Sequence, residues 1–330
     1  MGGFLVRRFL GAIMLLVITS IVTFAIFFVV PRMAGQTVDQ LAAQYVGKDP
    51  SPAEIEATKE KLGLDRPLVV QYGQFVKGVV AGREFTFGAT REYCPPPCFG
   101  YSFKTQRPVW PDLVDRIGVT ASLALGASVL WLVAGVAIGV LSALRKGTFF
   151  DRAAMFTALA GVSLPIFFTG LLSLALFRPS GVNYVPFTDN PLEWADNLLL
   201  PWVTLAFLYA ALYARLTRAG MLETMGEDFI RTARAKGLTE PVVVTRHALR
   251  ATLTPILTVF GLDIGLLLGG AVLTESTYSL PGIGRYAIDA INNNDLPQVL
   301  GVTMIAALFI VLANLTVDIL YAVADPRVRL

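Results

Sequence analysis

Six apolar stretches, each about 20 residues long, constrain the fold of this chain more than any other feature of its sequence. They lie near residues 9–30, 118–144, 152–177, 197–219, 255–275 and 299–323. A helix needs about 20 apolar residues to cross a hydrocarbon core of roughly 30 Å, and backbone polar groups inside a membrane have to be satisfied within the segment. The sequence therefore predicts an all-α integral membrane protein with six transmembrane helices.

The distribution of charge predicts how these helices are oriented. Of the 330 residues, 55% are hydrophobic and 15% are charged, and the net charge is +3. On one side of the membrane, the two termini and two short loops carry 14 of the 27 Lys and Arg but only six acids. The positive-inside rule places this side, with both termini, in the cytoplasm. Membrane orientation explains the positive charge, so nucleic acid is not indicated as a partner.

The chain divides into three regions. Residues 1–30 hold the N-terminal cytoplasmic end and the first span, residues 31–117 form a sizeable extracytoplasmic loop, and residues 118–330 hold the other five spans. In the long loop, the run Ser-Pro-Ala-Glu that starts at Ser51 predicts a capped helix ending at about Leu62. Surface helices in this position suggest a platform for an external partner.

A cationic amphipathic segment, residues 220–254, separates the fourth and fifth spans. An Arg or Lys at the centre of a membrane costs about 2.5–3.5 kcal/mol, so this segment is expected outside the bilayer. Side chains at spacings of three and four predict a short helix there, namely Phe229, Ile230, Ala233 and Gly237. Gly237 is the expected stop, and a second short helix is predicted from Val242 to Ala251.

The residues of this segment resemble those of one family. The run Glu-Asp-Phe-Ile-Arg-Thr-Ala-Arg-Ala-Lys-Gly-Leu, followed by Arg-His-Ala-Leu-Arg, resembles the coupling loop of ABC importer permeases of the dipeptide, oligopeptide and nickel class. In that family the loop docks into the ATP-binding subunit. Ala233 and Gly237 match the general importer pattern, whereas four positions depart from it as in the peptide-importer subclass: Arg231, Thr232, His247 and Arg250.

Four further motifs are similar to the same family. They are Leu-Gly-Leu-Asp-Arg-Pro-Leu from Leu62, Ser-Leu-Pro-Ile-Phe from Ser163, Leu-Pro-Gly-Ile-Gly from Leu280, and the ending Asp-Pro-Arg-Val-Arg. The resemblance covers most of residues 5–82 and 105–330. Between these parts, the family's Gly-Asp-(Leu/Phe)-Gly-x-Ser element is replaced by an insert that contains two cysteines.

The resemblance implies a type I ABC importer permease fold and an ATP-driven import of di- and oligopeptides, with nickel complexes or glutathione-like peptides as alternative substrates. It implies a second homologous permease, two ATP-binding subunits that hold ATP and Mg, and an extracytoplasmic solute-binding protein as partners. The residues expected to couple this chain to the ATP-binding subunit are Glu227, Asp228, Arg231, Ala233, Arg234, Lys236 and Gly237. The small side chain of Ala233 is expected to let the helix seat in a groove on that subunit.

Two acids fall inside predicted spans, Asp263 in the fifth and Asp318 in the sixth. A carboxylate in lipid needs a partner or water, so each acid either lines a translocation path or hydrogen-bonds to neighbouring helices. Asp318 lies near the inner interface, which makes Asp263 the better candidate for the path. Gly269 and Gly270, further along the fifth span, are predicted to belong to the same path.

Glycine and proline mark two of the spans. Gly135 and Gly139 form a small-xxx-small pair that serves either packing within the chain or an interface with a second permease. Pro165 is expected to kink or locally open the third span.

The two cysteines, Cys94 and Cys98, lie on the predicted outer side with three prolines between them. A local disulfide between them is predicted in this compartment, with two free thiols as the alternative, whereas two cysteines without a nearby histidine are too few ligands for a metal site. The chain has no P-loop and a single histidine, His247. We therefore predict no catalytic residue, bound cofactor or metal in this chain. A secondary transporter or a membrane scaffold remain alternative functional classes.

Overall fold

The computed structural model describes residues 2–46, 50–87, 90–102 and 104–324, most of which are helical. In chain order the α-helices are α1 (Gly2–Phe24), α2 (Val30–Met33), α3 (Val38–Val46), α4 (Pro52–Leu62), α5 (Leu68–Ala81), α6 (Val109–Leu144), α7 (Phe149–Ser163), α8 (Ile166–Phe177), α9 (Pro191–Thr224), α10 (Asp228–Ala235), α11 (Glu240–Val242), α12 (Leu249–Leu268), α13 (Val272–Thr277), α14 (Ile283–Asn292) and α15 (Leu296–Ala324). Two π-helical segments, Ala25–Val29 and Val243–Ala248, join α1 to α2 and α11 to α12.

Five continuous helical segments are long and apolar enough to cross a membrane. They are Val6–Met33, Val109–Leu144, Pro191–Thr224, Glu240–Leu268 and Leu296–Val317. Together α7 and α8 would form a sixth span, but the two helices are bent by 102° at their junction. The six predicted spans thus correspond to five long helices and one bent pair in the part of the chain that the structure describes.

The bend between α7 and α8 lies at Leu164 and Pro165. Proline has no N–H with which to continue α7, and it drives the preceding residue out of the helical region. Leu164 accordingly has an extended backbone, with ψ of 130°. The predicted kink at Pro165 is therefore a complete break followed by a new helix.

We name the two ends of the bundle by their loops. The short-loop end comprises residues 145–148 and 225–239, which connect α6 to α7 and α9 to α11. The long-loop end comprises residues 34–108, 178–190 and 269–295.

The centre of the bundle is the contact between α6 and α9. A Cβ on Gly135 would lie 2.6 Å from the Cβ of Tyr213, and a Cβ on Gly139 would lie 2.5 Å from the Cβ of Thr217. Only glycine therefore permits this close approach of the two helices. The glycine pair packs α6 against α9, which confirms the interpretation that it serves packing within the chain.

A second glycine stripe, at spacings of four residues, packs α12 against α15. A Cβ on Gly261, Gly265 or Gly269 would lie no farther than 3.0 Å from a side chain of α15. Gly270 follows with φ of +131°, and its position leaves no room for a Cβ beside the backbone of Gly284. Helix α12 therefore ends at Leu268, short of the predicted end of the fifth span near residue 275.

An insert with β-structure follows α5. Its strands were not predicted from the sequence. Its strands are β1 (Arg83–Phe87), β2 (Thr90–Cys94), β3 (Tyr101–Ser102) and β4 (Arg107–Pro108), paired β1 with β2 and β3 with β4, both antiparallel. A disulfide joins Cys94 to Cys98, and both cysteines are buried against Phe85 and Tyr101. Charged residues and prolines in this stretch hide the alternation by which a strand is usually recognised.

The insert is attached to the first turn of α15. Ser102 donates a hydrogen bond to the Asp295 carboxylate, and Gly100 lies against Pro297. Asp295 also accepts a hydrogen bond from the backbone N–H of Gln298 at 3.4 Å, so it caps the helix. Burial raises the pKa of the Asp295 carboxyl. The insert is thus a part of the long-loop end rather than a free appendage.

A fully buried carboxylate, Glu275, holds the backbone of residues 271–285. It accepts hydrogen bonds from Thr120 Oγ1 at 2.8 Å, from the Arg285 N–H at 2.9 Å and from the Ala271 N–H at 3.3 Å. A Cβ on Gly282 would lie only 2.3 Å from this carboxylate, which explains the glycine there. One side chain therefore ties the Leu-Pro-Gly-Ile-Gly turn to α6.

Candidate functional site

The helix α10 is the centre of the cationic segment at the short-loop end. Its N-terminal turn carries Asp228 and its last turn Arg234, an order that suits the helix dipole. After the C-cap residue, Gly237 has φ of +79°, and no atom lies within 4 Å of a Cβ built there. The glycine stop predicted from the sequence is confirmed, and backbone conformation rather than space requires it.

One face of α10 is buried inside the chain. Ile230 is completely buried and Ala233 is 6% exposed. They belong to an apolar cluster at the short-loop end whose other buried members are Ala143, Met221, Val243, Val244 and Ala248. The cluster fixes the orientation of α10 relative to the spans.

The burial of Ala233 corrects one expectation. We expected its small side chain to let the helix seat in a groove on a partner. Instead the side chain contacts this chain's own cluster, because Ala233 lies one turn after Ile230 on the inward face. The other predicted coupling residues are exposed, namely Glu227, Asp228, Arg231, Arg234, Lys236 and Gly237.

The second short helix, predicted from Val242 to Ala251, is not a separate element. Residues 240–268 form one continuous helical span that contains α11, the π-helical segment and α12. No glycine or proline interrupts residues 242–251, so the helix runs directly into the membrane segment. The cationic loop therefore consists of a single short helix that leads into the fifth span.

Ion pairs surround the exposed side of α10. Arg234 Nη2 lies 2.6 Å from Glu240 Oε1 across the Gly237 turn, and Arg231 Nη1 lies 3.3 Å from Asp228 Oδ1. Such exposed pairs contribute little to stability individually. The Arg234–Glu240 pair nevertheless joins α10 to the start of α11, a role for Glu240 that sequence analysis missed.

A buried ion pair also lies at the short-loop end. Asp151 is 3% exposed, and its carboxylate accepts hydrogen bonds from Arg218 Nε at 2.6 Å and Nη2 at 2.8 Å. Ser142 Oγ and the Gly147 N–H donate to the same carboxylate. Because the partners lie 67 residues apart, no local pattern in the sequence indicates the pair.

The second candidate region surrounds Asp263 on α12. The Tyr213 hydroxyl donates a hydrogen bond to Asp263 Oδ2 at 2.8 Å. Trp131 and Tyr213 are completely buried, whereas Asp263 is partly exposed. The structure thus places the acid of the fifth span at the edge of the contact between α6 and α9, beside a buried aromatic cluster.

The predicted sites lie in different parts of the molecule. Gly269 and Gly270 belong to packing contacts with α15 and α14, while Asp263 lies earlier in the chain, within α12 and beside Tyr213. The Asp318 side chain falls outside what the structure describes. Within the described ranges, no group of three or more His, Cys, Asp or Glu could hold a metal ion.

Comparisons with known proteins match both the N-terminal and the C-terminal parts of the chain to membrane components of the same transport systems. The family described as binding-protein-dependent transport system inner membrane component matches residues 135–330, and the N-terminal membrane-component family of the same systems matches residues 1–124. The chain is 38% identical to a putative peptide transport system permease protein of Brucella abortus, over 100% of this chain and 99% of that protein.

Two relatives carry the name dipeptide transport system permease protein. The one of Escherichia coli is 36% identical, with 99% of this chain and 98% of that protein covered. The one of Alkalihalophilus pseudofirmus is 35% identical over the full length of both chains. The helical architecture, with its long spans and bent pair, is accordingly that of a type I ABC importer permease. The chain belongs to the family of binding-protein-dependent transport system inner membrane components.

Proposed function

We propose that this chain forms half of the translocation pathway of an ATP-driven importer of di- and oligopeptides. The substrate class is supported by relatives named for peptides or dipeptides that match this chain over nearly their full length. The second half of the pathway is a homologous permease. Two ATP-binding subunits supply ATP and Mg, and this chain binds no cofactor of its own.

The short-loop end and both termini face the cytoplasm in this proposal, and the long-loop end meets an extracytoplasmic solute-binding protein. The cationic loops at the short-loop end support the orientation through the positive-inside rule. Access to the pathway then alternates between the two sides as the ATP-binding subunits close and open, because each state makes different contacts with the permease pair.

The observation that carries the proposal is that α10 has one face buried inside this chain and the opposite face exposed. Its inward face is locked by Ile230 and Ala233, while Phe229 is 46% exposed beside the charged residues Asp228 and Arg231. A large exposed aromatic next to charged groups is typical of the residues that anchor protein–protein interfaces. We infer that the outward face of α10, together with the Gly237 turn, docks into an ATP-binding subunit and transmits its motion.

The path within the membrane is inferred to pass Asp263, with Gly269 and Gly270 nearby. The partial exposure of Asp263 in a span supports this role, since intramembrane acids usually face a cavity or a partner. The two glycines would act indirectly, by holding the end of α12 close to α15 and α14.

Phe229→Asp tests the docking proposal. A charge at the centre of an apolar contact should reduce copurification of the ATP-binding subunits and reduce ATP-driven uptake of the dipeptide Ala-Ala into proteoliposomes, by at least about tenfold. The matched control is Phe187→Asp, at the long-loop end, where the phenylalanine is 57% exposed. Both variants add the same charge to an exposed site, but only the first is expected to release the ATP-binding subunits.

If Phe229→Asp complexes retained their ATP-binding subunits and transported Ala-Ala at the normal rate, α10 would not be the coupling element. If the wild-type complex hydrolysed ATP without importing any peptide, the proposed substrate class would be wrong instead.

A further inference from the structure

Among the residues that the structure describes, the Asp263 carboxylate has a neutral hydrogen-bond donor but no ion-pair partner. Tyr213 donates to Oδ2, and Oδ1 accepts no hydrogen bond from the residues that the structure describes. None of the ion pairs in this part of the chain involves Asp263. Arg250, on the same helix, is about 20 Å of helical rise away. A carboxylate at this depth in a membrane is therefore only half satisfied.

The Tyr213 side chain that donates to this carboxylate belongs to a group of packed aromatic rings. The rings of Trp131 and Tyr209 are stacked, with centroids 4.6 Å apart, and the Phe260 ring meets Trp131 edge-on at 6.1 Å. Tyr213, the donor to Asp263, stands nearly perpendicular to Phe260 with centroids 6.5 Å apart. Aromatic faces attract cations, and the attraction strengthens where water is excluded. An anion next to several aromatic rings is the arrangement that favours an ammonium group.

The arrangement is rigid on one side and open on the other. Tyr213 and Trp131 are completely buried, and Gly135 holds the backbone of α6 against Tyr213. Asp263, Tyr209 and Phe260 are only partly buried, so they are accessible from the surface of this chain. A buried inner layer thus fixes the position of the Tyr213 hydroxyl, while the carboxylate and two rings remain available to a ligand.

We propose that Asp263, with the rings of Tyr209 and Phe260, binds a primary ammonium group of the peptide during its passage. This inference rests on the proposed function, because it identifies which part of a peptide the path recognises. The ammonium is that of the peptide N-terminus or of a lysine side chain. It supplies the positive charge that the carboxylate lacks, and the rings replace part of its hydration shell.

The test measures peptide binding to the purified complex of both permeases and both ATP-binding subunits, without the solute-binding protein. Isothermal titration compares Ala-Ala with N-acetyl-Ala-Ala, and also N-acetyl-Ala-Lys with N-acetyl-Ala-Ala. The wild-type complex should bind each ammonium-bearing peptide at least about tenfold more tightly than its neutral counterpart, as expected for a charge-assisted contact. The first pair reports an N-terminal ammonium and the second reports a lysine ammonium.

Asp263→Asn should abolish these differences, because the amide keeps the shape and can still accept from Tyr213 but has no charge. Asp189→Asn, at an exposed position of the long-loop end, is the matched control and should keep them. Asp263→Glu should keep a preference for the ammonium-bearing peptide. It also provides a readout if the asparagine variant fails to assemble.

Three results would overturn the inference. They are an unchanged preference in Asp263→Asn, equal or unmeasurable binding of charged and neutral peptides by the wild type, and an assembled Asp263→Glu complex that shows no preference. The last result, with failed assembly of Asp263→Asn, would show that Asp263 pairs with a cation of the second permease. In each case ATP-driven uptake of Ala-Ala would continue in the wild type, so the proposed function would stand.

Discussion

At the short-loop end, α10 is held by the apolar side chains of Ile230 and Ala233, whereas at the long-loop end Glu275 and Asp295 hold irregular backbone through buried hydrogen bonds. Apolar contacts are non-directional, and they weaken gradually when a side chain is trimmed. Buried polar groups behave differently, because removal of one partner leaves the others unsatisfied. The apolar attachment of α10 is therefore suited to a helix that transmits motion, and the polar attachment of residues 271–285 to a turn that keeps one shape.

The largest expected effect is that of Glu275→Ala at the long-loop end. The change removes the acceptor of Thr120 Oγ1 and of the Arg285 and Ala271 N–H groups. Each buried donor left unpaired costs about 1–3 kcal/mol, so the free energy of unfolding should fall by roughly 3 kcal/mol or more. Thermal unfolding of the solubilised complex measures this loss. Asp289→Ala, at an exposed acid in the same segment, should change it little. If the two variants unfolded at the same temperature, buried hydrogen bonds of Glu275 would not be what holds the long-loop end.

Ile230→Ala at the short-loop end should cost about 2–5 kcal/mol locally, because it opens a cavity in the apolar cluster. Its neighbour on the outward face provides the control, since Phe229→Ala removes a larger side chain from an exposed position. Amide hydrogen exchange over residues 228–250 should accelerate in the first variant only. Faster exchange in Phe229→Ala would mean that α10 is held from its outer side.

The disulfide in the insert should stabilise the long-loop end by roughly 2 kcal/mol, the size expected for a short closed loop. Cys94→Ser with Cys98→Ser should therefore loosen residues 83–102 and leave the short-loop end unchanged, as measured by limited proteolysis. Mapping of non-reduced peptides by mass spectrometry checks the starting state. Recovery of both thiols in alkylated form would show that the bond is not made in the mature protein.

Gly237→Val should reduce transport severalfold, because a β-branched residue at φ of +79° costs about 1–2 kcal/mol and shifts the turn. Gly237→Asn is the matched control, since asparagine tolerates the left-handed region and the site is open. Uptake of Ala-Ala by the two variants at equal ATP-binding subunit content measures the difference. An equal loss of uptake in both variants would show that any added side chain at this position impairs transport, and that the backbone conformation is not the cause.

The smallest effect concerns the start of α4. The Ser51 N–H and the Ser51 hydroxyl both donate to Glu54, and these hydrogen bonds lower the pKa of the Glu54 carboxyl. A lowered carboxyl pKa stabilises the fold above the unfolded-state value and loses this contribution as pH falls through the folded-state value. The protection of α4 amides against exchange should decrease below about pH 4. In Glu54→Gln, which keeps the capping box without the charge, this pH dependence should disappear.

The contrast between the ends also explains what could be predicted from the sequence. Spans, the glycine stop at Gly237 and the capped helix from Ser51 depend on local patterns, and the structure shows all three. The inward position of Ala233 could not be predicted, because periodicity indicates a common face but not which way that face points. Glu275, Arg218 and Asp295 were missed because their partners are distant in sequence. The acids within the spans could be identified from the sequence. Only the fold shows that Tyr213, which packs against other aromatic rings, lies beside Asp263.

The contact between Ser102 and Asp295 has a consequence for biosynthesis. The two residues are 193 positions apart in the sequence. All the spans except the first and the last lie between them along the chain. At about 5–20 residues per second, the ribosome makes Asp295 roughly 10–40 s after Ser102. During that interval Ser102 has no Asp295 carboxylate to which it can donate, so the insert cannot yet attach to the start of α15. Closure of the long-loop end is thus among the final steps in the maturation of the newly made chain.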